Sequence, residues 1–325
     1  MKKLLVSIAA VAALGSFGSS FAETKWDLPS GYGANTFHVQ NLTQFATDVD
    51  KATAGKVKIT VHPNASLFKA NEIKRAVQSG QTPVGEFILS SASNEAPIFG
   101  LDAIPFLATS YPDAKRLDAV SREVLVKTLA AQGMKLLYTV AWPPQSLYSK
   151  KALTKLADLK STKMRAYNPA TSFIATAVGA QPVTIQLAEL PAALATGGVD
   201  NFLTSTSSGI DSKLHESVKF FYDVNAWLPR NAVVVNQKAF DALDKAGQDA
   251  VLQQAAVAET RGWQNSEKNN ADNLKELAVK GMKIDTVIGE VLKKELKPIG
   301  DTMTADWLKL AGAEGKAIID AYNKK

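Results

Sequence analysis

KMRAYNPATSFIATAVGAQPVTIQLAELPAALATGGVDNFLT, residues 163–204, is the stretch whose reading decides the fold. Met164-Arg165-Ala166-Tyr167 closes an apolar strand that Asn168-Pro169 breaks. Apolar spacing predicts a helix over 171–178 ended by Gly179, then a short β-branched strand over 182–185. A second helix over 188–196 stops at Gly197-Gly198, and residues 199–203 return to strand. Strand–helix–strand at this spacing is a crossover over a parallel sheet. Ligands of such sheets bind beyond the carboxyl ends of the strands, where Arg165 and residues 201–204 fall. An arginine there is a planar, permanently charged fork suited to a carboxylate. Pairing with a structural Asp or Glu is the other reading, and spacing alone leaves both open.

Working outward, the start of the chain reads as a processing signal: basic Lys2-Lys3, an apolar run over 4–17 and a small-residue cleavage site at Ser20-Phe21-Ala22. Gly15 and the shortness of the run argue against a membrane anchor. The rest, in a chain of 325 residues, is long enough for two lobes. The net charge of +6 is mild, with both signs interspersed and no basic, aromatic-rich stripe of the kind nucleic-acid binders carry. There are no cysteines, which excludes thiol chemistry and fits an exported, periplasmic protein that stands on its core.

Residues 25–28 read as a strand, followed by the glycine-rich turn Ser30-Gly31-Tyr32-Gly33, which either approaches a ligand or merely connects. Thr36 caps the next helix, and residues 57–62 alternate as a strand. A helix is expected over 70–79 and a buried strand over 84–91, in which the carboxylate of Glu86 needs a partner or an exit to a cleft. After a strand over 134–141, Trp142-Pro143-Pro144-Gln145 cannot sit in a sheet centre and reads as the crossing from a first lobe to a second. A polar loop over 204–209 leads to a helix over 210–218. NAWLPR, residues 225–230, is the crossing back, and the apolar strand over 232–236 follows. A doubly crossed chain is what a hinged clamshell requires. Residues 240–279 are helical almost without a breaker, as one long helix or two end to end. The expected division is a leader over 1–22, lobe I over 23–142 with about 231–270, lobe II over 143–230, and C-terminal helices over 271–325 packing across both.

Catalytic and cofactor motifs do not assemble. The three histidines, His38, His62 and His215, share no metal-ligand spacing, and there is no GxSxG, Walker loop or GxGxxG.

Several segments do resemble a known family: FHVQNLTQFATDVDKATAGKVKITVHPNASLF (37–68), GLDAIPFLATSY (100–111), ADLKSTKMRAYNP (157–169) and AVGAQPVTIQLAELPAALATGGVDNF (177–202). Together they are similar, over about 24–274, to the DctP-type solute-binding proteins of tripartite ATP-independent periplasmic (TRAP) transporters. The resemblance implies an α/β clamshell of the periplasmic-binding-protein kind, with two lobes on a hinge and a long helix spanning them. It also implies capture of a small organic acid without cofactor or enzymatic activity, and the small and large TRAP membrane subunits as partners. Arg165 matches the family arginine that clamps the ligand carboxylate. Where sugar-acid binders carry a second arginine, Gln145 stands here. Where many members have an acidic residue and Asn, Leu203-Thr204 stand, so no metal is expected.

Fewer polar groups, with Tyr32, Trp142, Tyr148, Tyr167, Phe202 and Trp227 near strand ends, predict an apolar cleft for an aromatic or branched monocarboxylate. Taken singly, each aromatic is more readily core, and Phe202 and Tyr167 are the two expected first at the ligand because their strands carry the clamp. Asn168 and Thr204 are the expected hydrogen-bonding groups, and Tyr32 and Glu86 the first-lobe groups that closure brings to the ligand. The rival readings are a C4-dicarboxylate or sugar-acid binder with Arg230 or a lysine as second cation, a periplasmic enzyme, and a sensor subunit.

Overall fold

In the computed structural model, which describes residues 23–324, the expected crossings are where the chain changes sheet. The leader reading over 1–22 lies outside the described residues. The first sheets form from β1 (Thr24–Pro29), α1 (Phe37–Ala52), β2 (Val57–His62), α2 (Ile73–Gln78), β3 (Val84–Ile88), α3 (Tyr111–Ala131) and β4 (Met134–Ala141). Strands β1 and β2 run parallel, and the Thr36 hydroxyl accepts the Val39 N–H to start α1 between them. Strand β10 (Arg230–Asn236) lies antiparallel between β3 and β4. It is fully buried, as a strand with no polar face must be.

Beyond Pro143-Pro144 comes a six-stranded mixed sheet. It holds β5 (Ser146–Ser149), β6 (Lys163–Ala166), β7 (Gln181–Thr184), β8 (Asn201–Thr204), β9 (Phe220–Tyr222) and β11 (Lys283–Asp285), in the order β11-β9-β5-β8-β6-β7. Strand β6 is parallel to both β7 and β8, with α4 (Pro169–Ala177) and α5 (Leu190–Ala195) in the connections. The stretch that opened the sequence reading is therefore this crossover unit. Strand β5 is antiparallel to its neighbours, so the sheet as a whole is not parallel.

Three boundaries differ from expectation. The helix placed at 70–79 is only Ile73–Gln78, and the strand over 84–91 stops at Ile88, where Leu89–Ala92 tightens into a 3-10 turn. The loop over 204–209 is instead the start of α6 (Thr206–Asp211), capped by the Ser205 hydroxyl on Ser208 N–H. Gly209 makes that seat possible, because a Cβ there would lie 2.4 Å from the Tyr148 hydroxyl oxygen.

A short α7 (Gln237–Asp241) precedes α8 (Lys245–Val279), whose 35 residues extend about 52 Å. Asp244 caps α8 and separates the two. Helix α8 packs on α1 and β4 near its start and on α6 near its end. It thus spans both groups of sheets, as α9 (Thr286–Asn323) also does by touching α3 and β9.

Arg230, expected within the crossing, begins β10 and sits in a chain of buried charges. Its Nε donates to Asp102 Oδ2 at 3.0 Å, and its Nη1 pairs with Asp118. Arg122 bridges Asp118 to Glu259 of α8, holding both Glu259 oxygens at 2.7 and 2.8 Å. Burial pushes the Asp102 carboxyl up despite Arg230. Burial raises Asp118 as well, but Arg230 and Arg122 outweigh it and hold that carboxyl below its usual range. The network ties the return crossing to α3 and α8. Replacing Arg230 by Met leaves Asp102 a buried carboxylate without its cation and Asp118 with Arg122 alone, and unfolding experiments should show a loss of about 3–5 kcal/mol. The Asp102 carboxyl would then hold its proton still more tightly folded than unfolded, so part of the lost stability returns as the pH is lowered.

Candidate functional site: a cavity between the two sheet groups

The carboxyl end of β6 opens on a cavity walled by both sheet groups. Arg165 enters it from β6. Its side chain is 4% exposed, its Nε donates to the Ile185 carbonyl at 2.8 Å, and its guanidinium lies 4.9 Å from the Tyr167 ring centre. Among the described residues no carboxylate pairs with it. Burial lowers its pKa to about 10, although Tyr167 and Tyr32 work in the other direction. The guanidinium is thus charged at neutral pH, desolvated and without a counter-ion, which is the state of a cation that awaits an anionic ligand.

The first sheets supply the other wall. Glu86 of β3, 2% exposed, accepts from Ser30 Oγ at 2.7 Å and from Asn231 Nδ2 at 3.0 Å, and its Oε1 lies 3.1 Å from His38 Nδ1. A carboxylate has about four lone-pair positions, so one acceptor site remains. Asn231 also accepts from Trp142 Nε1 at 2.9 Å and from the Tyr32 hydroxyl at 3.3 Å. The Tyr32 and Trp142 rings meet edge to face at 5.0 Å. Burial, then Glu86, pushes the Tyr32 phenol up, and burial does the same for Tyr167, so both remain neutral. Gly31 also lines the cavity, and a Cβ on it would lie 2.5 Å from Ala70 Cβ. The glycine-rich turn is a close-packed wall and not just a connection.

Seven of the residues singled out in the sequence meet here: Arg165, Tyr167, Thr204, Gln145, Trp142, Tyr32 and Glu86. Three do not, and the expectation is corrected for each. Phe202 is buried in the core, stacked at 5.0 Å on Tyr148. Trp227 is buried in the apolar cluster that α9 covers. Asn168 gives its oxygen to the first turn of α4 and one Nδ2 hydrogen to Ser90 Oγ at 2.8 Å, and it does not line the cavity. Arg230, the candidate second cation, is neutralised by Asp102 and Asp118.

The reading missed Gln186 and Leu187, just beyond β7, and Ser208 in α6. The rule about strand carboxyl ends applies to β7 as much as to β6 and could have found the first two. Ser91 was missed because the strand was drawn through it. Among the described residues no cluster of His, Asp or Glu is placed to hold a metal ion, and no helix is long and apolar enough to cross a membrane.

Comparison with known proteins agrees with this architecture. Residues 30–310 match the family model described as bacterial extracellular solute-binding protein, family 7 (DctP). The structure is similar to that of DctP6, a Bordetella pertussis extracytoplasmic solute receptor binding pyroglutamic acid. Identity is 52%, with 93% of this chain and 100% of that chain covered and a TM-score of 0.90. It is also similar to a marine metagenome TRAP solute-binding protein specific for pyroglutamate, at 43% identity, 94% and 100% coverage and a TM-score of 0.91. A curated solute-binding protein of Albidiferax ferrireducens is 26% identical over 306 residues, 90% of either chain.

An unpaired buried charge weakens a fold. Replacing Arg165 with Met, a side chain of similar volume, should raise the unfolding midpoint of the ligand-free protein, a gain of about 1–3 kcal/mol in a denaturant titration.

Proposed function

Since the chain belongs to bacterial extracellular solute-binding protein family 7, whose members are receptors and not enzymes, we propose that it captures pyroglutamate or a closely similar cyclic monocarboxylate. The observation that carries this reading is the pairing, within one cavity, of a free Arg165 with a fixed Glu86. The ligand carboxylate takes the Arg165 fork. A ligand N–H takes the remaining acceptor site of Glu86, which lies in the opposite wall.

The neighbouring groups support the same chemistry. Ser91 spends its hydroxyl hydrogen on Ile88 O at 2.7 Å, and Gln145 spends an amide hydrogen on Pro143 O at 2.9 Å. These leave acceptors for the ligand, and a lactam N–H is the donor that such a wall lacks. The Thr204 hydroxyl, unpaired among the described residues, is the donor for the ring carbonyl. Tyr32, Trp142 and Tyr167 enclose the ring. This reading departs from the aromatic or branched acid expected from the sequence, because similar receptors bind pyroglutamate, fewer rings reach the cavity and a carboxylate stands among them. A second carboxylate on the ligand would face Glu86 with no spare cation, which disfavours C4-dicarboxylates.

Export to the periplasm behind a cleavable leader and delivery of the closed, loaded form to TRAP membrane subunits complete the proposal. Ligand binding then acts by shifting a population toward the closed state.

Thermal-shift and calorimetric titration with L-pyroglutamate should show a raised midpoint and saturable binding. The five-membered lactone acid, with ring oxygen in place of N–H, should bind about 10–100-fold more weakly, since it turns a lone pair toward Glu86. Arg165→Ala should lose binding almost entirely. Near-native affinity in that variant, or equal affinity for the lactone, would sink the reading.

A further inference from the structure

The hydrogen bond from Asn168 Nδ2 to Ser90 Oγ joins the two lobes directly, away from both crossings. Both residues are buried, at 8% and 1% exposure, yet neither lines the cavity. Each is tied to a ligand-facing group by a few residues of rigid chain. Asn168 follows Arg165 at the end of β6, and its Oδ1 is fixed by Thr171 N–H at 2.8 Å and Thr171 Oγ1 at 2.7 Å. Ser90 follows Glu86 in the 3-10 turn that ends β3. Any motion that brings Arg165 and Glu86 onto one small molecule therefore brings Asn168 onto Ser90. A second cross-lobe bond, Asn35 Nδ2 to Asp211 O at 3.2 Å, is exposed at the rim and competes with water.

We infer that Asn168 and Ser90 form a closure latch that sets affinity without touching the ligand. The inference rests on the solute-capture reading. As positioning residues, the pair stabilises the closed state by the same amount whatever acid is inside. Losing the latch lowers apparent affinity through the closed fraction alone. It speeds ligand release and leaves association unchanged, because the ligand enters the open form, in which the bond is not made.

Two variants remove the latch by different routes. Ser90→Ala deletes the acceptor. Asn168→Ser keeps a good helix cap but is too short to reach Ser90. With L-pyroglutamate as probe, each should weaken binding about three- to tenfold through koff, and the double variant should be no weaker than either single one. The lactone acid should lose the same factor, whereas a ligand contact would change the ratio between the two acids. Unchanged affinity, additive losses, or losses that differ between the acids would overturn the latch.

A ligand-independent measurement keeps the test separate from the functional reading. The chain has no cysteine, so Lys69→Cys and Thr176→Cys, exposed on opposite lobes, accept a pair of spin labels cleanly. Ser90→Ala should shift the label distances of ligand-free protein toward the open form, and identical distributions would refute the latch. A wild-type chain that binds none of the acids would instead sink the capture reading, with the label distances still deciding the latch.

Discussion

A buried guanidinium without a counter-ion is the constraint on which the rest of this structure depends. Two arginines are equally inaccessible, and they are treated in opposite ways. Arg230 is surrounded by Asp102 and Asp118 and becomes part of the frame. Arg165 receives only a carbonyl on Nε and a phenol ring beneath it, so its charge is unspent. Such a group persists only if the surrounding sheet is stable enough to hold it there. The apolar clusters on both sides of the six-stranded sheet provide that stability, with Met164 and Ala166 in contact-excluding burial on either side of Arg165 along β6.

The opposite wall solves the complementary problem. A carboxylate in a buried strand has to be satisfied, and Glu86 is satisfied by groups from three separate elements: Ser30 after β1, His38 in α1 and Asn231 in β10. These contacts lock its orientation. Trp142 and Tyr32 then share the acceptor oxygen of Asn231, so the aromatic walls are aligned by the same network that fixes the acid. What looks in the sequence like scattered aromatics and one misplaced glutamate is a single hydrogen-bonded unit.

The crossover unit could be read from the chain because glycine and proline mark its corners, and their backbone requirements do not depend on tertiary context. Arg165 could be placed at the cavity because the ends of parallel strands are where such sheets bind, although spacing alone left its partner open. Position along a strand was harder. Phe202 and Thr204 share a face of β8, but they are about 7 Å apart along it, and only Thr204 reaches the cavity. Alternation cannot reveal that difference in a strand buried throughout. Trp227 was misread because the helix that covers it, α9, comes some sixty residues later. Asn168 was assigned to the ligand because nothing local indicates that Ser90, from the other lobe, takes its amide.

The fork and the selective wall belong to different sheets, joined covalently through the crossings and spanned by the long helices. If the proposed capture holds, substitutions around β3, α1 and the turn after β1 alter which acid is accepted, while β6 continues to decide that an acid is accepted at all. A receptor built this way can diverge in diet by drift in one half of its sequence, without passing through a form that has lost its hold on carboxylates.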